Sequence, residues 1–137
     1  MDPITYLKSL SDEDLVRACA KNPQYRDLCD EYFYRDIVKT RHPFWTTWLE
    51  QYGNSYKKLF LTSVAYIDRL KNELGITYHD SGWPPEDHYN SKRLIINDLK
   101  KLPPSEREME LKINAAMGFP VGGINLDTID DILFIKE

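Results

Sequence analysis

The chain is poor in the residues that build metal and redox centres: it has two cysteines and three histidines in 137 residues. Cys19 and Cys29 form neither a CxxC unit nor half of a larger ligand cluster, so no zinc site is readable from them. No apolar run approaches the ~18 residues that a membrane-spanning helix needs. Met1-Asp2-Pro3 leads into polar sequence, so no secretory signal is expected. Internal repeats, low-complexity stretches and tails of a single charge sign are all absent. The formal net charge is −4 and the pI is near 5.4, which argues against broad, salt-driven binding to nucleic acid. The sequence holds no GxSxG and no readable Ser/His/Asp order. Gly118-Phe-Pro-Val-Gly-Gly123 lacks the Lys-Ser/Thr of a phosphate-binding loop. A non-enzyme without cofactor or metal is therefore expected.

What the chain does have is 42% hydrophobic and 12% aromatic residues, too apolar for disorder. A chain of this mass buries about two-thirds of its extended surface on folding, enough for a core without disulfides. Cys19 and Cys29 lie in helical pattern beside apolar residues. They are expected as reduced, buried thiols of a cytosolic or nuclear protein, a disulfide between them being the alternative.

The spacing of apolar residues predicts a mainly α, small single domain of about five to seven short helices. Ser11, followed by Asp12, Glu13 and Asp14, caps a helix to Lys21 with Leu15, Val16 and Cys19 on one face. Asn22-Pro23 ends it and starts a second over Gln24 to Asp30. A third runs from Glu31 to Arg41, with Phe33, Tyr34, Ile37 and Val38 inward, and stops at His42-Pro43. An aromatic cluster of Phe44, Trp45, Trp48 and Tyr52 ends at Gly53. Ser55 caps the clearest helix, Tyr56 to Leu74, and Gly75 closes it. Asp80 to Pro85 reads as a loop, Ser91 as the start of a helix to Leu102, and Ser105-x-x-Glu108 as a capping box for a helix through Met117. Phe119 to Gly123 reads as a turn, and the tail from Ile124 to Glu137 is open between a short helix at Asp127-Thr128 and a strand at Ile132 to Ile135.

The first third carries an ordered pattern: Leu10-Ser-Asp-Glu-Asp-Leu-Val-Arg-Ala-Cys19, Asn22, Tyr25-Arg-Asp-Leu-Cys29, Tyr32-Phe-Tyr-Arg35 and Ile37-Val38. Over about residues 7–61 this resembles an F-box, of the shortened kind found in large DNA viruses of eukaryotes. Ser11 stands where that family carries Pro, and the link between the first two helices is short. The resemblance implies a three-helix module over residues 1–53, with a helical extension over 54–137 packed on it. It implies docking on the Skp-type adaptor of a cullin ubiquitin ligase, through Leu10, Leu15, Val16, Tyr25, Leu28 and Phe33. It also implies a eukaryotic cytoplasm or nucleus, in an infected cell, or packaging in virions. Leu15 and Val16 on a helical face equally suit a core, so a module that keeps the fold and binds another protein stays open.

The aromatic content favours binding over catalysis, since Tyr and Trp anchor interfaces. Trp83, in Gly82-Trp83-Pro84-Pro85, is the candidate exposed anchor, the alternative being that it packs back onto the Tyr56–Leu74 helix. A homodimer is compatible with this content, though no heptad pattern calls for one. Lys57-Lys58 beside Tyr52 and Tyr56, and Lys92-Arg93 near Tyr89, would suit a single strand of nucleic acid, but solvated helix faces explain them more simply. His79-Asp80 and Glu86-Asp87-His88 flank the Trp83 loop without matching a familiar metal spacing.

Overall fold

The structure, a computed structural model, describes residues 2–78 and 82–116. The described residues are mainly helical, as expected, with no strand. In chain order they form α1 (Pro3–Lys8), α2 (Asp12–Lys21), α3 (Pro23–Arg26), α4 (Glu31–Arg41), a 3₁₀ helix (Pro43–Tyr52), α5 (Tyr56–Leu74), α6 (Pro85–Lys100) and α7 (Pro104–Ala116). The Phe119 to Gly123 turn and the tail, with its helix and strand alternatives, lie outside the described residues. The chain divides into two compact units, Met1–Ala65 with Asp80–Pro84, and Tyr66–His79 with Pro85–Glu137.

The first unit therefore runs past Gly53 and takes in the first half of α5. The reason is aromatic packing. The Phe60 ring lies 5.3 Å from Tyr34 and 6.3 Å from Trp45, centroid to centroid. Together with Leu7, Leu15, Ile37, Val38 and Leu59, these side chains form a core sealed from solvent. Local chemistry starts each helix. The Asp2 carboxylate accepts from the Ile4 amide at 2.9 Å, and Pro3 takes the first helical position. That makes α1, which periodicity does not announce because the helix is so short. Ser11 caps α2 through the Asp14 amide, as the sequence predicts. α3 stops at Arg26 instead of reaching Asp30. Asp30 has to be extended to cap α4, accepting from the Phe33 amide at 2.9 Å, and an extended residue cannot end a helix that runs into it. In the 3₁₀ helix the Thr46 and Thr47 hydroxyls donate back to the carbonyls of Pro43 and Phe44, competing with an ordinary helical ladder.

Cys19 and Cys29 are joined as a disulfide, with Cα atoms 6.0 Å apart, which corrects the expectation of two reduced thiols. The short α3 turns the chain back, so the end of α2 meets the residue just before the α4 cap. Glu31, in the first turn of α4, reaches a second helix. Its carboxylate accepts from the Tyr56 amide at 2.9 Å, from the Lys57 amide at 3.3 Å and from the Ser55 hydroxyl. The Ser55 cap of α5 is present as expected, and Glu31 reinforces it from 25 residues away.

The second unit packs around Leu70, Leu74, Ile76, Tyr89, Ile96 and Leu99. Gly75 closes α5 at φ +65°, and the Ile76 amide reaches back to the Leu70 carbonyl at 2.9 Å, the hydrogen-bonding pattern of a glycine-terminated helix. α6 begins at Pro85, ahead of Ser91, because Pro85 suits the first helical position and Glu86 and Asp87 complement the helix dipole. α7 begins at Pro104, so Ser105 lies inside its first turn rather than capping it. Arg107 instead serves the end of α6, donating to the carbonyls of Leu102 and Lys100 at 2.9 and 3.2 Å. The buried Tyr89 ring carries Arg69 over its face at 4.4 Å. Its hydroxyl accepts from Arg69 at 3.0 Å and donates to Glu73. Burial, then the Glu73 hydrogen bond and charge, push the Tyr89 hydroxyl above its usual pKa.

Two substitutions test these links. Glu31→Ala should lower stability by about 1 kcal/mol, the size of a lost helix cap, measured by urea unfolding. Tyr89→Phe keeps the ring and removes the hydroxyl, and should cost about 1 kcal/mol. Wild-type stability in either variant would mean that the bond carries no weight.

Candidate functional site

The N-terminal helices are held by one carboxylate. Asp12, at the first position of α2, takes Arg41 Nη1 on one oxygen and His42 Nε2 on the other, both at 2.7 Å. Arg41 also donates to the Lys8 carbonyl at 2.9 Å. The His42 ring stacks on Trp45 with centroids 3.8 Å apart. Burial pushes the Asp12 pKa up, but the hydrogen bonds and charges of His42 and Arg41 outweigh it and hold the carboxyl below its ordinary value. This cluster joins the end of α1, the start of α2 and the end of α4.

The residues expected to meet a partner are not equivalent. Leu15 is wholly buried and Phe33 is buried, so both side chains pack the core and offer nothing to a partner. Leu10, Val16, Tyr25 and Leu28 are half-buried, so each keeps part of its surface outward. Trp83 is 57% exposed. The structure adds exposed aromatics that periodicity does not single out. Tyr6 on α1 has its ring 5.9 Å from Tyr25, while Tyr32 is 70% and Phe44 63% exposed. The only available signal for Tyr6 was the Asp2-Pro3 helix start.

The surface of the same unit carries an open cleft of about 470 Å³ lined by Val16, Cys19, Ala20, Cys29, Tyr34 and Leu61. Arg26 and Lys57 complete its lining. That volume falls in the ~300–1,000 Å³ range of small-molecule sites, and an apolar wall with a few polar groups is their usual make-up. Burial raises the Tyr34 hydroxyl pKa, so it stays neutral at physiological pH. The Arg26 guanidinium donates to the Ala20 carbonyl at 3.5 Å. Neither Arg26 nor Lys57 is in an ion pair among the described residues.

Of the two basic pairs, Lys57-Lys58 is exposed, whereas Lys92 is buried. Burial lowers the Lys92 pKa. Among the described residues no group of three His, Cys, Asp or Glu side chains comes together as a metal-ligand set; His79 and Asp80 lie outside them. No helix among them is long and apolar enough to cross a membrane. No protein-family model, curated protein or solved structure matches the chain.

Asp12 makes acid stability a test of this arrangement. A carboxyl with a lowered pKa contributes stability above its unfolded value of about 3.9, and loses it as pH falls through the lower folded value. Asp12→Asn should cost about 1–3 kcal/mol at pH 7. The gap to wild type should close as urea titrations move below about pH 4. A gap that stays constant with pH would show that the carboxylate charge is not what holds the helices.

Proposed function

We propose that the protein is a non-enzymatic protein–protein interaction module that resembles an F-box, docks a Skp-type adaptor of a cullin ubiquitin ligase and recruits a target to it. The observation that carries this reading is the state of α2 and of the turn from α3 to α4. Leu10, Val16, Tyr25 and Leu28, at positions matched by the family pattern, each keep apolar surface uncovered by the chain's own core. Helix docking needs anchors of this kind, a few apolar side chains left half out of a folded module. The buried Leu15 and Phe33 serve by fixing the shape of the module. Residues 54–137 supply the target-binding part, with Trp83 as an exposed aromatic anchor. The site of action is then the cytoplasm or nucleus of a eukaryotic cell, in keeping with the viral type of F-box that the sequence resembles.

A second reading is favoured by the loss of two family positions, Leu15 and Phe33, to the core. In it the chain keeps an F-box-like fold, has given up the ligase adaptor, and uses the same half-buried face for a host or viral protein.

Gel filtration of the purified chain with a purified Skp-type adaptor separates the two. The ligase reading expects a stable 1:1 peak. It also expects Val16→Asp and Leu28→Asp to weaken binding about tenfold or more while the helical circular dichroism spectrum is retained. Two separate peaks with folded wild-type protein would overturn the ligase reading and leave the second.

A further inference from the structure

The core of the second unit contains a charge. The buried residues of α6 are Pro85, Tyr89, Lys92, Ile96 and Leu99, a stripe of alternating four- and three-residue steps that lies along one face of the helix. Tyr89, Ile96 and Leu99 cluster there with Leu70, Leu74 and Ile76. Lys92 stands in the middle of the stripe, where the period calls for an apolar side chain, and is 7% exposed. No other described lysine is buried. A lysine stem can lie along apolar surface while its amine stays in water. Here burial lowers the Lys92 pKa and no neighbouring charge contributes, so the amine itself is poorly hydrated. It makes no ion pair among the described residues. Glu73, a carboxylate at the edge of the same unit, is taken by Arg69 and by the Tyr89 hydroxyl.

We propose that Lys92 is a built-in release point: it keeps the second unit at the low end of the chain's stability, so that α6 leaves Leu70, Leu74 and Ile76 while the first unit stays folded. A protonated amine loses hydration when the unit closes and gains no carboxylate in return. In the opened segment it is hydrated again. The difference favours local opening of α6 over that of a helix whose buried stripe is wholly apolar. The tethers of the first unit are of the opposite kind. The Asp12 carboxylate is matched by Arg41 and His42. The end of α2 is joined covalently to the residue before the α4 cap, and Glu31 caps α5 from α4. Release of α6 uncovers Leu70, Leu74 and Ile76 and frees Ile96 and Leu99, an apolar surface that the closed unit hides. Lys92 thereby sets how often that surface is presented.

The test is native-state amide hydrogen exchange, read by mass spectrometry on the full chain at pH 7 with its disulfide intact. In the wild type the slowest amides of α6 should exchange faster than the slowest amides of α2 and α4. Lys92→Met keeps the unbranched stem and removes the charge. It should slow α6 exchange about tenfold, the equilibrium change that accompanies a pKa displaced by about one, and leave α2 and α4 unchanged. The same change at Lys71, an exposed residue of α5, should leave α6 exchange as it is. Slower exchange in α6 than in α2 and α4 of the wild-type chain would overturn the proposal. So would unchanged or faster α6 exchange in Lys92→Met, or equal slowing by Lys71→Met. Failure of Lys92→Met to fold would overturn it as well, because removing the charge is expected to tighten the unit.

Discussion

The Asp12 carboxylate, shared between Arg41 and His42, fixes the arrangement on which the first unit depends. It ties the start of α2 to the end of α4. The Cys19–Cys29 bond ties the end of α2 to the residue before the α4 cap. Two tethers at opposite ends hold the two helices in opposite senses, and the short α3 has no freedom left except to span the gap. The Asp12 tether is polar and partly solvated and therefore responds to pH; the disulfide is covalent and responds to redox state.

With α2 held in this way, its side chains are divided by geometry. Leu15 turns into the aromatic and aliphatic core formed with Tyr34, Trp45 and Phe60, while Val16, one residue on, reaches the open cleft. Glu31 then carries the order of α4 into α5 by capping its first turn. The cleft that Val16 helps to line rests on this scaffold and is floored in part by core side chains, Cys19, Cys29 and Tyr34.

Much of this was legible because it is local. Ser11 before three acids, Ser55 before an apolar period and Gly75 after it each declare a helix end through interactions within a few residues. α4 is readable for the same reason, its buried Phe33, Tyr34, Ile37 and Val38 repeating at helical spacing. What escaped was mostly non-local or competitive. Asp12 looks like a helix-start residue, and nothing near it in sequence reveals partners 29 and 30 positions away. The disulfide depends on how sharply α3 turns, and α3 is cut short by the need of Asp30 to be extended. Pro85 and Pro104 each begin a helix ahead of the serine that seemed to cap it, because proline is itself a good first helical residue. Leu15 and Val16 are adjacent and chemically alike, so no pattern in one sequence distinguishes the core residue from the half-exposed one.

Amide hydrogen exchange on the full chain, with and without a Skp-type adaptor, tests most directly whether the first unit presents a partner face. Adaptor binding through that face predicts slowed exchange concentrated between Leu10 and Leu28, with α6 and α7 unchanged. Slowing confined to α6 and α7, or no slowing anywhere at saturating adaptor, would contradict it.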